Sequence, residues 1–67
     1  MELGKKIKEL RLQNKWTQTE LAQKLNTTQD TISLWELGKS YPDVLSVVNI
    51  CKLFNITSDY LLGLTNY

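Results

Sequence analysis

A chain of 67 residues is long enough for one small domain, and its single cysteine and lack of histidine exclude an internal disulfide framework and a conventional zinc site. No apolar run approaches the roughly 20 residues of a membrane-spanning helix, and the first residues lack the apolar segment of a signal peptide, so we expect a cytoplasmic protein. The formal net charge is only +1, which argues against a nucleic-acid partner, although five of the eight basic residues lie within the first 15 positions.

The first predicted element is an amphipathic helix from Glu2 to about Asn14. Leu3, Ile7 and Leu10 recur at the spacing i, i+4, i+7, which places them on one face. The basic residues lie on other faces, where they form either an ordinary solvated surface or a patch that attracts phosphate groups. Trp16 follows in the connection to the next helix, and we interpret it as a core residue rather than as a stacking platform.

Two short helices joined by a tight turn are predicted next. The first begins with a capping box, in which the Thr17 hydroxyl accepts a hydrogen bond from the N–H of Glu20 and the Glu20 carboxylate accepts one from the N–H of Thr17. Asn26 tolerates a left-handed backbone and is expected to turn the chain, after which Thr28 caps the second helix and Gly38 ends it. The residues of these helices expected in the core are Leu21, Ala22, Leu25, Ile32 and Trp35.

A fourth helix is predicted from its N-cap Asp43 to about Phe54, and a short fifth helix from Ser58 to Leu62. Leu45 and Val48 fall outside the core-facing side of the fourth helix, and exposed apolar side chains indicate a binding partner. The core-facing side of the fourth helix is expected to hold Val44, Val47, Ile50, Cys51 and Phe54.

The two helices and the turn resemble the helix-turn-helix of phage Cro and repressor proteins, the xenobiotic-response-element family of bacterial regulators. The alternative is a helical bundle of another kind, in which two helices and a turn are also common. The resemblance implies an all-α, five-helix, lambda-repressor-like DNA-binding domain over residues 1–67, with the helix-turn-helix at 17–37. The similarity extends over nearly the whole chain and is carried by Gln18, Ala22, Asn26, Ile32, Glu36, Gly38 and Pro42.

The resemblance also implies which residues contact DNA, because the third helix of the family lies in the major groove. Gln29 can pair with adenine N6 and N7, Asp30 can accept from cytosine N4, and Leu34 can contact a thymine methyl group. Asp30 also suits the positive end of the helix, so its contact with a base is an open alternative. The base-contacting positions are thus Gln29, Asp30, Ser33 and Leu34. The positions expected to contact phosphate are Thr17, Gln18, Thr28, Lys39, Ser40 and Tyr41.

Two further positions have a structural role in the family. An arginine of the first helix pairs there with the glutamate that ends the third helix, and these residues are Arg11 and Glu36 here. We expect a buried bidentate ion pair rather than a weak surface contact. Lys15 stands where the family often has glycine, which implies either local strain or a turn with ordinary dihedral angles.

The sequence therefore predicts a sequence-specific transcriptional regulator, most simply a repressor, that binds a palindromic operator in double-stranded DNA as a homodimer. We expect no catalysis, no cofactor and no metal. Gln29 is expected to recognise a particular base, whereas loss of Gln18 is expected to weaken binding to all DNA sequences equally. The alternative is a protein-interaction module, such as an antitoxin with secondary DNA binding. The apolar candidates for the dimer interface are Leu45, Val48, Leu62, Leu64 and Tyr67.

Overall fold

The computed structural model describes residues 3–65, which form five α-helices. The all-α, five-helix architecture predicted from the sequence is confirmed, with the fifth helix one residue shorter because Leu62 is its C-cap. Within residues 3–65, no helix combines the length and the apolar character that a bilayer crossing requires. The helices are α1 (Leu3–Gln13), α2 (Gln18–Lys24), α3 (Gln29–Glu36), α4 (Val44–Phe54) and α5 (Ser58–Leu61).

Side-chain caps define the starts of the four helices after α1. The capping box of α2 is present, with the Thr17 hydroxyl accepting from the Glu20 N–H at 3.0 Å and the Glu20 carboxylate accepting from the Thr17 N–H at 2.8 Å. The N–H of Thr17 lowers the pKa of the Glu20 carboxyl below its usual value, because it stabilises the ionised form. The N-caps of the four helices are Thr17, Thr28, Asp43 and Thr57.

Three connections between helices use a left-handed backbone at a residue other than glycine. Asn26 turns the chain between α2 and α3 with φ 57°, as the sequence predicted, and Asn55 ends α4 with φ 56°. Lys15 has φ 58°, so the alternative with ordinary dihedral angles is wrong and this turn is strained. The N–H of Trp16 then donates to the Arg11 carbonyl at 3.1 Å, which closes the end of α1.

The core lies where α1, α2 and α3 meet, and α4 and α5 complete it. Trp16 packs against this core with its ring 5.5 Å from that of Phe54, as expected of a core residue. Cys51 is half-buried, and this burial raises the pKa of its thiol, which makes it a poor nucleophile. The buried residues are Leu3, Ile7, Leu10, Leu21, Ala22, Ile32, Trp35, Ile50 and Leu61.

The prediction that Val44 faces the core is wrong. Its side chain is 82% exposed, because α4 begins at Val44 and only the later turns of the helix pack against the core. Leu53, which the spacing left unassigned, packs there together with Val47 and Phe54. The first turn of α4 therefore presents apolar surface to solvent.

Gly4 marks a close contact between α1 and α3. A β-carbon at this position would lie 2.2 Å from the carbonyl oxygen of Trp35 and 3.0 Å from that of Glu36. Both distances are shorter than van der Waals contact, and both neighbours are backbone atoms. Glycine is therefore required here by proximity, and this contact positions the end of α3 against α1.

Candidate nucleic-acid interface

A buried alanine of α2 is hydrogen-bonded to the turn that leads to α3. Ala22 is 2% exposed, and its carbonyl accepts a hydrogen bond from the Thr27 N–H of that turn at 2.9 Å. Ile32 and Trp35 of α3 face the core. The opposite face of α3 is consequently directed outward.

All four residues predicted to contact bases lie on this outward face. Gln29, Asp30 and Leu34 are exposed, and Ser33 is partly exposed. Their spacing of i, i+1, i+4 and i+5 places them on one side of the helix, away from the buried Ile32. The structure thus brings these side chains together on one polar surface with a single apolar member.

The residues predicted to contact phosphate border the same surface in three places. Thr17 and Gln18 begin α2, and Thr28 caps α3 with its hydroxyl, which also lies 2.9 Å from the Thr31 hydroxyl. The remaining three follow α3 in a loop that starts against the helix, because the N–H of Lys39 donates to the Leu34 carbonyl at 3.0 Å. In this loop the side chains of Lys39 and Tyr41 are exposed, and that of Ser40 is partly exposed.

Gln18 and Gln29, to which the sequence assigned separate tasks, are joined by a hydrogen bond. The Gln29 Nε2 donates to the Gln18 Oε1 at 2.5 Å, and the Gln18 Nε2 donates to the Glu36 Oε1 at 3.1 Å. Sequence reasoning missed both contacts. The sequence did contain a signal for the contact between the glutamines. Gln18 is the first residue of α2, Gln29 is the first residue of α3, and these two helices cross.

The Arg11–Glu36 ion pair is present, buried and bidentate. Arg11 donates from Nε to the Glu36 Oε2 at 2.7 Å and from Nη2 to the Glu36 Oε1 at 3.0 Å. Its Nη1 donates to the carbonyl of Trp16 at 2.9 Å. The two charged side chains are only 10% and 4% exposed, and the hydrogen bonds that Arg11 donates to Glu36 raise the pKa of Arg11 above its usual value. One guanidinium thus links α1 to the end of α3 and to the residue before the cap of α2.

The α2–α3 surface is polar rather than strongly basic. Lys24 lies with its Nζ 4.6 Å from the centre of the Trp16 ring, and Asp30 adds a negative charge to the outward face. Exposed apolar side chains lie mainly in the loop after α3 and on α4. Among the large exposed apolar residues of these two segments are Leu37, Tyr41, Val44, Leu45 and Val48.

Comparisons with known proteins agree with this geometry. The chain is 42% identical over 63 residues to the HTH-type transcriptional activator BcrR of Enterococcus faecalis, which covers 94% of this chain and 31% of that protein. It is 40% identical over 63 residues to the HTH-type transcriptional regulator ImmR of Bacillus subtilis (strain 168), which covers 94% of this chain and 50% of that protein. The chain thus spans half or less of the length of these two relatives.

The fold is that of a solved repressor. The structure is similar to the P22 c2 repressor crystallised in complex with a synthetic operator, with a TM-score of 0.84 and 24% sequence identity over 91% of this chain and 92% of that chain. A sequence model of the helix-turn-helix family matches residues 7–61, which are well over half of the chain. The chain therefore belongs to the helix-turn-helix family, of the Cro and repressor type that its motif residues predicted.

Proposed function

We propose that this chain binds operator DNA in a sequence-specific manner and regulates transcription without catalysis. The observation that supports this proposal best is the outward face of α3, which is exposed or partly exposed within residues 3–65 and begins with Gln29, whose amide is held by Gln18. The names of the relatives support the same function, since one is a transcriptional activator and another a transcriptional regulator. Because DNA is the partner, we place its action in the cytoplasm.

Base recognition is assigned to α3 in the major groove. Gln29 retains one N–H and its carbonyl oxygen beyond the bond to Gln18, and this donor and acceptor match the N7 and N6 of adenine. Asp30 can accept from cytosine N4 and Leu34 can contact a thymine methyl group, with Ser33 at the edge of the groove. These contacts distinguish one base pair from another.

Phosphate contacts fix the position of the domain on the duplex. The second N–H of the Gln18 amide, the hydroxyls of Thr17, Thr28, Ser40 and Tyr41 and the ammonium group of Lys39 are the proposed donors. Phosphate is present at every nucleotide, so these contacts carry no sequence information. Repression is the simplest regulatory output, because a protein that occupies an operator excludes other proteins from that DNA.

The first prediction concerns Gln29. Once the preferred operator has been selected from a random DNA pool, Gln29→Ala should lower the preference at one base pair of each half-site by about 1–3 kcal/mol, because a bidentate contact is lost. Titrations on operator, single-base variants and random duplex at one salt concentration measure this effect. Gln13→Ala, at the exposed end of α1, is the matched control and should leave every preference unchanged.

Two outcomes of these titrations matter beyond the control. Retention of the full preference at every base pair by Gln29→Ala would show that α3 does not read the DNA. Gln18→Ala should weaken binding to operator and random DNA together, as the sequence suggested. Because Gln18 also holds the Gln29 amide, we expect the Gln18→Ala variant to lower the preference at the base pair that Gln29 contacts as well.

The exposed apolar residues of α4 favour a protein partner, and we propose that this partner is a second copy of the chain. Dimers of this motif bind half-sites about 34 Å apart, and a chain with a net charge of +1 gains affinity from two reading helices. Leu45 and Val48 of α4 and Leu64 are exposed, as an interface requires. Leu62 is a poorer candidate than the sequence suggested because it packs against the core, and Tyr67 lies outside the described residues.

The second prediction tests the dimer against the alternative of a module such as an antitoxin, whose apolar surface serves a different protein. Analytical ultracentrifugation with operator DNA should give two protein chains per duplex. Leu45→Glu should reduce this to one chain, because a charge then lies in the apolar contact, while Leu12→Glu at an exposed leucine of α1 should not. A protein that stays monomeric at high concentration and in the presence of operator would contradict the dimer and favour the alternative.

A further inference from the structure

The direction of the two glutamine amides is determined by the charge of Glu36. A carboxylate can only accept hydrogen bonds, so the group of Gln18 that faces Glu36 must be its NH₂. The Gln18 carbonyl then faces Gln29, and Gln29 must present its own NH₂ to that oxygen. The NH₂ group of Gln29 thus faces Gln18, and the NH₂ group of Gln18 faces the Glu36 carboxylate.

We propose that Glu36 is a positioning residue that sets the direction of the Gln18 and Gln29 amides and thereby selects the base edge that Gln29 reads. This inference rests on the proposed DNA-reading function. With the direction fixed, the Gln29 nitrogen lies next to Gln18 and its carbonyl oxygen lies farther from it. A base edge is complementary when its acceptor faces the Gln29 nitrogen and its donor faces the Gln29 carbonyl oxygen. A base edge with these two groups exchanged is not complementary.

Arg11 keeps the carboxylate in place for this task. The guanidinium holds both oxygens of Glu36, at 2.7 and 3.0 Å, so the carboxylate cannot turn away from Gln18 without breaking the ion pair. Reversal of both amides would set the Gln18 carbonyl against a carboxylate oxygen, which is two acceptors with no proton between them. In a site where Glu36 is 4% exposed, water has little access to relieve that contact.

Glu36→Gln removes the constraint while preserving the shape of the side chain. An amide at position 36 can either accept from Gln18 or donate to it, so both directions of the two glutamine amides become available. The preference at the base pair that Gln29 reads, about 5- to 150-fold for a bidentate contact, should therefore fall at least about threefold. Preferences at the other base pairs should stay as in the wild-type protein.

Two comparisons separate positioning from loss of stability. Ile50→Val removes one methyl group from a fully buried residue of α4, and this destabilised control should keep every base preference. In a Gln29→Ala background, Glu36→Gln should cause no further change at that base pair. Titrations are made at a temperature where circular dichroism shows each variant to be folded.

Gln18→Met serves as a second variant if Glu36→Gln is too unstable to assay. It breaks the chain of amides in the middle and leaves the Arg11–Glu36 pair intact, and we expect the same loss of preference at the same base pair. Full preference in a folded Glu36→Gln or Gln18→Met variant, with Gln29→Ala lowering it, overturns the inference alone. A wild-type protein that shows no preference for any DNA sequence overturns the proposed function as well.

Discussion

Arg11→Met is expected to lower the free energy of unfolding by about 3 kcal/mol, the lower end of the range for breaking a buried ion pair, because Arg11 retains 10% exposure. The methionine leaves the Glu36 carboxylate without its countercharge in a position that water barely reaches. It also removes the hydrogen bond from Nη1 to the carbonyl of Trp16. Since small domains have about 5–15 kcal/mol of total stability, this is a large fraction.

Thermal and denaturant unfolding measure this effect directly. Lys8→Met is the matched control, because it makes the same replacement at an exposed position of the same helix and should change stability by less than about 0.5 kcal/mol. Glu36→Gln should fall between the two, since it leaves the Arg11 guanidinium with a neutral acceptor. If the Arg11→Met protein has the melting temperature of the wild type, the ion pair is a weak surface contact and does not hold α1 against α3.

Gly4→Ala is expected to destabilise the fold by about 1–3 kcal/mol, although alanine normally stabilises a helix relative to glycine by about 0.5–1 kcal/mol. The added β-carbon would lie 2.2 Å from the Trp35 carbonyl oxygen, and a backbone oxygen cannot rotate aside as a side chain can. The helices α1 and α3 must therefore separate. Separation would also lengthen the bonds between Arg11 and Glu36, so the loss should exceed that of a simple steric adjustment.

Denaturant unfolding of Gly4→Ala is compared with that of Lys8→Ala, which places alanine at an exposed position of the same helix and should be nearly neutral. A double variant with Arg11→Met should lose less than the sum of the two single variants, because both loosen the same contact. If Gly4→Ala were as stable as the wild type or more stable, the close approach of the two helices would be refuted.

The parts of this fold that sequence reasoning predicted well depend on chemistry within a few residues. The capping box of Thr17 and Glu20, the left-handed turn at Asn26 and the cap at Thr28 each involve neighbours no more than three positions apart. Such contacts form in the same way wherever the helix is placed. The Arg11–Glu36 pair, 25 positions apart, came only from the resemblance to a known family.

The parts that sequence reasoning missed depend on how the helices are placed against one another. Spacing put Val44 on the core face of α4, but it does not specify how far along the helix the packing extends. The role of Gly4 arises from two carbonyls that are more than 30 positions away in sequence. The bond between Gln18 and Gln29 depends on the crossing of α2 and α3, so helical spacing alone could not predict it.

The division of α3 into a buried and an outward face also affects how such a protein can diverge. Ile32 and Trp35 are its buried members of the core, while Asp30 and Leu34 are exposed and Ser33 is partly exposed. If α3 reads DNA as proposed, mutations at those three positions change the preferred operator while the buried residues keep the scaffold, so related chains can diverge in operator without a change of fold. Gln29 is less free to vary, because any replacement there must also suit Gln18.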